Sequence, residues 1–142
     1  MKQFLFHFAL LIAAGFVAAS VVPAVQAQGT IGLKTSVPFD FQVAGKTVPA
    51  GDCTIDMNTA GRVDVHTPDR RLLFVITNPG TTAGSRSKLV FHRYGKTYFL
   101  RSVVSRYQPY SLDLPQSKEE KNFANVAGAA PVVETVYVGG TR

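Results

Sequence analysis

Residues 88–107 read KLVFHRYGKTYFLRSVVSRY. Two runs rich in β-branched and aromatic residues flank Gly95-Lys96, which is the pattern of a β-hairpin closed by a two-residue turn of type II′ or I′. Such a turn sets the register: Tyr94 opposes Thr97, His92 opposes Phe99 and Phe91 opposes Leu100. Regular alternation then puts Leu89, Phe91, Tyr98, Leu100 and Val104 on one face, and Val90, His92, Phe99, Arg101 and Val103 on the other. Both faces are largely apolar, so the hairpin is expected at the centre of a sheet, covered on two sides.

Upstream of the hairpin, residues 71–77 (RLLFVIT) form a near-continuous apolar run and predict a strand buried on both faces. Residues 78–87, rich in Gly, Thr and Ser, predict a mobile loop. Further back, residues 52–57 alternate with Cys53, Ile55 and Met57 inward and Asp52 and Asp56 outward. Val63 and Val65 supply the matching face of the next strand, with Arg62, Asp64 and His66 outside. Pairing Met57 with Val63 and Ile55 with Val65 leaves Gly61 in the connecting loop, free to take a positive φ. The first strand is expected over 33–39, held to an edge or a bulge by Pro38. After it Phe39, Phe41 and Val43 share a face, and Ala44-Gly45 turns the chain back.

Downstream, Gln108-Pro109 breaks the strand and residues 110–115 read as irregular. Residues 117–127 predict a helix: Ser117 and Glu120 have capping-box spacing, acids fill the first turn, and Gly128 suits the position after the end. Phe123, Val126 and Ala127 would be its docking stripe. Residues 132–138 (VVETVYV) predict a last strand, and 139–142 a disordered tail. The architecture expected is an antiparallel β-sandwich or partly open barrel with one short C-terminal helix, a single domain over 28–138.

Residues 1–27 predict a signal-peptide helix that precedes this domain. Lys2 is the positive start, residues 4–22 are apolar, and Val25-Gln26-Ala27 offers small or apolar residues where a signal peptidase reads. His7 inside the apolar stretch and Pro23 after it weigh against a permanent anchor. Export to the periplasm or beyond is the location this implies, with membrane contact only through the leader before cleavage. Cys53 has no partner for an internal disulfide and falls on an apolar strand face, where it acts as a small hydrophobe; nothing local would activate its thiol.

Three segments together resemble a small family of exported proteins of soil-type bacteria: PFDFQVAGKTVPAGDCTI at 38–55, LVFHRYGKTYFL at 89–100 and LPQSKEEK at 114–121. The shared pattern is PFDF-x-V-x-G-x-x-(hydrophobic)-PAG-(acidic)-Y, then LVFHRYG, then LPxSxxE. Cys53 stands where that pattern has an aromatic, which argues against a family-wide catalytic thiol. The resemblance implies an exported domain and carries no activity, cofactor or site residue.

No Ser-His-Asp elbow, Gly-rich phosphate loop or Cys-His pattern is present, and no cofactor is implied. His66 and His92 are the only histidines after the leader, and a metal site would need a third ligand beside them. Asp52 and Asp56 lie too far apart along one strand to serve as paired carboxylates and read as solvated charges. Only Lys2 of the 15 basic residues falls in the leader, which leaves 14 against 9 acidic ones and a net charge of +5. Residues 70–112 hold no Asp or Glu, yet carry eight Lys and Arg with four interleaved tyrosines. Arg93, Arg101, Arg106, Tyr94 and Tyr98 are therefore the candidates for an anionic ligand. Export makes nucleic acid the wrong partner; anionic envelope polymers, or another envelope protein, suit location and charge. The expectation is a non-enzymatic structural or binding protein of the envelope or secreted fraction. The rival is a small hydrolase or ligand-modifying enzyme whose site leaves no local motif.

Overall fold

The computed structural model describes residues 30–58 and 60–139; the expected leader and residues 140–142 of the expected tail lie outside the described residues. In chain order the elements are β1 Ile31–Val37, β2 Phe41–Val43, β3 Lys46–Val48, β4 Gly51–Met57, β5 Arg62–His66, β6 Leu72–Ile76, β7 Asn78–Pro79, β8 Lys88–Tyr94, β9 Thr97–Val104, β10 Leu112–Asp113, α1 Lys118–Ala127 and β11 Val132–Tyr137. One sheet runs β1-β4-β5-β6. The other runs β11-β8-β9-β10-β7, with the β2–β3 hairpin joined to β9. The fold is thus mainly β, two sheets and one short C-terminal helix, as the alternation predicted. One pairing departs from the antiparallel rule: Phe41 and Gln42 run parallel to Tyr98 and Phe99.

The core lies between the sheets. Leu33, Cys53, Ile55, Met57, Val63 and Val65 point in from the first sheet, and Phe41, Leu89, Phe91, Leu100 and Val103 from the second. The pairings Met57–Val63 and Ile55–Val65 form as expected, and Gly61 takes φ 73° in the turn between them. Phe91 is fully buried and meets Phe39 and Phe41 edge-on, with ring centroids 5.1 and 5.2 Å away. Such pairs add about 0.5–1.5 kcal/mol each to what burial contributes.

The hairpin β8–β9 forms in the expected register, with Tyr94 opposite Thr97, His92 opposite Phe99 and Phe91 opposite Leu100. Beyond Leu100 the alternation breaks. Phe91 faces Leu100 but Val90 faces Ser102, so Arg101 is one residue more than β8 can match, a β-bulge. Val103 consequently opposes Leu89 on the core side, and Val104 opposes Lys88 on the other. Uninterrupted alternation assigned these two valines the opposite way.

Four further expectations are corrected. β6 is the edge of its sheet, not a strand covered on both faces: Leu73 and Val75 are buried, whereas Leu72, Phe74 and Ile76 are 55, 68 and 67% exposed. β1 stops at Val37, because Pro38 ends the ladder, and Phe39 packs from a bend; its ring stacks on Tyr98 at 3.7 Å. Asn78-Pro79 and Leu112-Asp113, expected as loop and irregular chain, pair with each other, and Leu112-Asp113 also extends β9's edge. The α1 stripe does not dock as drawn. Val126 is 89% exposed and Phe123 half-exposed, and the buried residue of the helix is Glu120.

Candidate functional site

The five candidate residues fall in three places. Tyr98 lies on the core-facing side of β9 under Phe39. Arg93, on the same side of β8, bonds Gly95 O at 3.0 Å and lies 3.3 Å from Glu134. Tyr94 and Arg101 meet on the outer side, at Glu120. Arg106 belongs to the turn after β9, at the opposite end of the hairpin.

The Glu120 cluster begins in local sequence. The Ser117 hydroxyl accepts the Glu120 N–H at 3.1 Å and starts α1, and Gly128 closes it in the left-handed region with φ 59°. That cap places the Glu120 side chain downward on the sheet. Arg101 donates to one carboxylate oxygen at 3.1 Å, and the Tyr94 hydroxyl donates to the other at 3.3 Å. His92 Nδ1 stands 3.4 Å from the same oxygen as Tyr94. Burial pushes the Tyr94 phenol up, and the neighbouring Glu120 charge adds to the shift. A carboxylate only 1% exposed is held by one cation and two polar rings, which offsets its desolvation. This arrangement fastens the helix to the sheet and leaves no carboxylate oxygen free to react.

The largest concavity lies elsewhere, a groove of about 540 Å³ where β1 runs beside the end of β11. Lys34 and Thr54 line one wall, and Arg86, Arg106 and Tyr107 the other. Thr35 reaches across to donate to Tyr137 O at 3.4 Å. Each arginine is laid on an aromatic ring: Arg86 is 4.6 Å from the Tyr137 centroid and Arg106 is 4.6 Å from that of Tyr107, whose hydroxyl it also contacts. Tyr107 and Tyr137 stay 63 and 50% exposed. Three cations beside two open phenol rings can take carboxylate, phosphate or sulfate groups, with the rings offering apolar contact to a sugar face. One acid shares the groove: Asp56, which accepts from or is paired with His66 Nε2 at 2.9 Å. Asp64, expected to act with His66, is engaged instead by Arg62 at 2.8 Å. Among the described residues no three His, Cys, Asp or Glu side chains gather as a metal site would require.

Of the sequence candidates only Arg106 lines this groove. Arg86 and Tyr107 were visible as part of the acid-free stretch 70–112, but their convergence was not. Lys34 and Tyr137 carry no local signal, because they come together only when the first and last strands meet. No family model, no curated protein and no solved structure matches the chain.

Proposed function

We propose that this is an exported, non-enzymatic binding protein of the cell envelope or secreted fraction, whose ligand is an anionic polymer. The observation that carries this reading is the groove in which Lys34, Arg86 and Arg106 stand beside Tyr107 and Tyr137. The composition supports it: the chain after the leader is basic, and its acid-free stretch 70–112 supplies one groove wall. Attraction of this kind brings a polyanion to the surface quickly and weakens as salt screens it. Another envelope protein is a partner of the second rank, since nothing about the groove favours a peptide over a charged sugar chain.

The hydrolase alternative rests on the hydrogen-bonded Asp56–His66 pair at the groove rim. It lacks a nucleophile: among the described residues no hydroxyl is hydrogen-bonded to His66. Binding of the purified protein to immobilised dextran sulfate, polygalacturonate and neutral dextran tests the main reading. Salt-sensitive retention on the two acidic polymers, lost in Arg86→Ser/Arg106→Ser, is the expected result. Equal retention on neutral dextran, or retention unaffected by the double substitution, overturns it.

A further inference from the structure

At the edge of the first sheet, away from the groove, β6 carries an uncovered apolar row. Leu72, Phe74 and Ile76 are more than half exposed, and β6 is hydrogen-bonded to β5 alone. The phase of that bonding can be read from its ends. Thr67 N donates to Arg71 O at 2.9 Å and Thr77 N donates to Gly61 O at 2.7 Å, with an unbroken register between. Odd-numbered residues therefore bond inward to β5, and Leu72, Phe74 and Ile76 turn their N–H and C=O groups to the open edge. None of the usual guards of an edge is present in this strand. It has no charge, no proline and no bulge.

We propose that β6 pairs with β6 of a second copy, antiparallel, about a two-fold axis through Phe74. Phe74 then opposes its own counterpart, and Leu72 opposes Ile76 on each side. All three pairs are of the hydrogen-bonded kind, because all three residues present their backbone groups outward. Opposed residues share a face, so the six exposed apolar side chains form one block.

Charge selects this occupant and this direction. The chain carries a formal +6, so two copies repel except where their meeting surfaces are neutral, and residues 72–85 hold no charged residue at all. Arg70 and Arg71 sit at one end of β6 only. The antiparallel pairing sets them against Asn78 and Thr77 of the other copy, whereas a parallel in-register pairing stacks arginine on arginine. The two-fold arrangement also uses up both open edges and closes, giving a dimer and not a filament. One strand from each side is a small interface, so the association is weak, in the micromolar range or looser. The two grooves are left free at the far edges, where β1 lies.

Sedimentation velocity on the purified full protein over a range of concentrations, at fixed salt, reads the mass directly. A monomer–dimer equilibrium is expected, and Phe74→Lys is expected to weaken it more than about tenfold while the far-ultraviolet spectrum stays that of the parent. Phe74→Cys, left in air, should form a disulfide-linked dimer faster than Lys96→Cys, whose thiol stands at the exposed hairpin tip. A monomer at every concentration, a dimer that survives Phe74→Lys, open-ended oligomers, or equal cross-linking of the two cysteine variants each overturns the proposal. None of these results depends on polymer binding.

Discussion

Arg101 reaches the Glu120 carboxylate, Nη1 to Oε2 at 3.1 Å, because β9 carries one residue more than its partner strand. Without the bulge, alternation would run unbroken past Leu100 and change the face that every later residue of β9 presents. The extra residue thus does two jobs at once. It gives the helix its cation, and it returns Val103 to the core opposite Leu89.

Removing that carboxylate should therefore undock the helix. Glu120→Ala strips the anchor and leaves Arg101 part-buried without its partner, a loss of about 3 kcal/mol. The urea midpoint should fall accordingly, and limited proteolysis should open new cuts within α1. A midpoint equal to that of the parent would mean that Phe123 on Phe99, ring centroids 5.7 Å apart, holds the helix without Glu120.

The hairpin makes a contrasting pair of substitutions. Phe91→Ala empties a site that is fully buried between the sheets and should cost about 3–5 kcal/mol. Lys96→Asn, at the exposed turn tip, should change stability by no more than a few tenths of a kcal/mol, since Asn suits such turns. Thermal melts of the two variants against the parent check both magnitudes.

High pH should loosen the domain through two groups. Burial, reinforced by the Asp52 charge, pushes the Cys53 thiol from 9.0 to about 11, and burial with Glu120 raises Tyr94 above 10.0. Both hold their protons more tightly when folded. Their contribution is complete below the unfolded values and is lost as pH climbs, between 9.0 and about 11 for Cys53 and above 10.0 for Tyr94. Melting temperature followed from neutral to alkaline pH should drop in this window, with a shallower slope in Cys53→Ala and in Tyr94→Phe. The same burial predicts that a thiol reagent labels Cys53 only after unfolding.

Export makes its own prediction. Cleavage after Ala27 leaves Gln28 as the first residue, and intact-mass measurement of protein recovered from the envelope or medium should show the loss of residues 1–27. A mass retaining them would point to an anchored form.

Local chemistry made much of the fold legible. Gly95-Lys96 set a register that holds through Phe91–Leu100, the Ser117–Glu120 spacing located the helix start, and period-two patterns paired β4 with β5. What stayed hidden depends on distant partners. A strand such as β6 has the same apolar run whether it is central or at an edge, and only the absence of a second neighbour distinguishes the two. Glu120 reads as an ordinary capping acid until Arg101, His92 and Tyr94 arrive beneath it. The groove was legible as an acid-free stretch but not as a place, since Lys34 and Tyr137 come from opposite ends of the chain.

The parallel contact of β2 with β9 bears on the order of assembly. Phe41 and Tyr98 are separated by more than half of the described chain, so this pairing closes late, after the local hairpins. A chain delivered N-terminus first therefore waits with Phe39 and Phe41 uncovered until β9 has emerged. Fragments that end before Thr97 should stay sticky and unfinished, however well their first four strands pair.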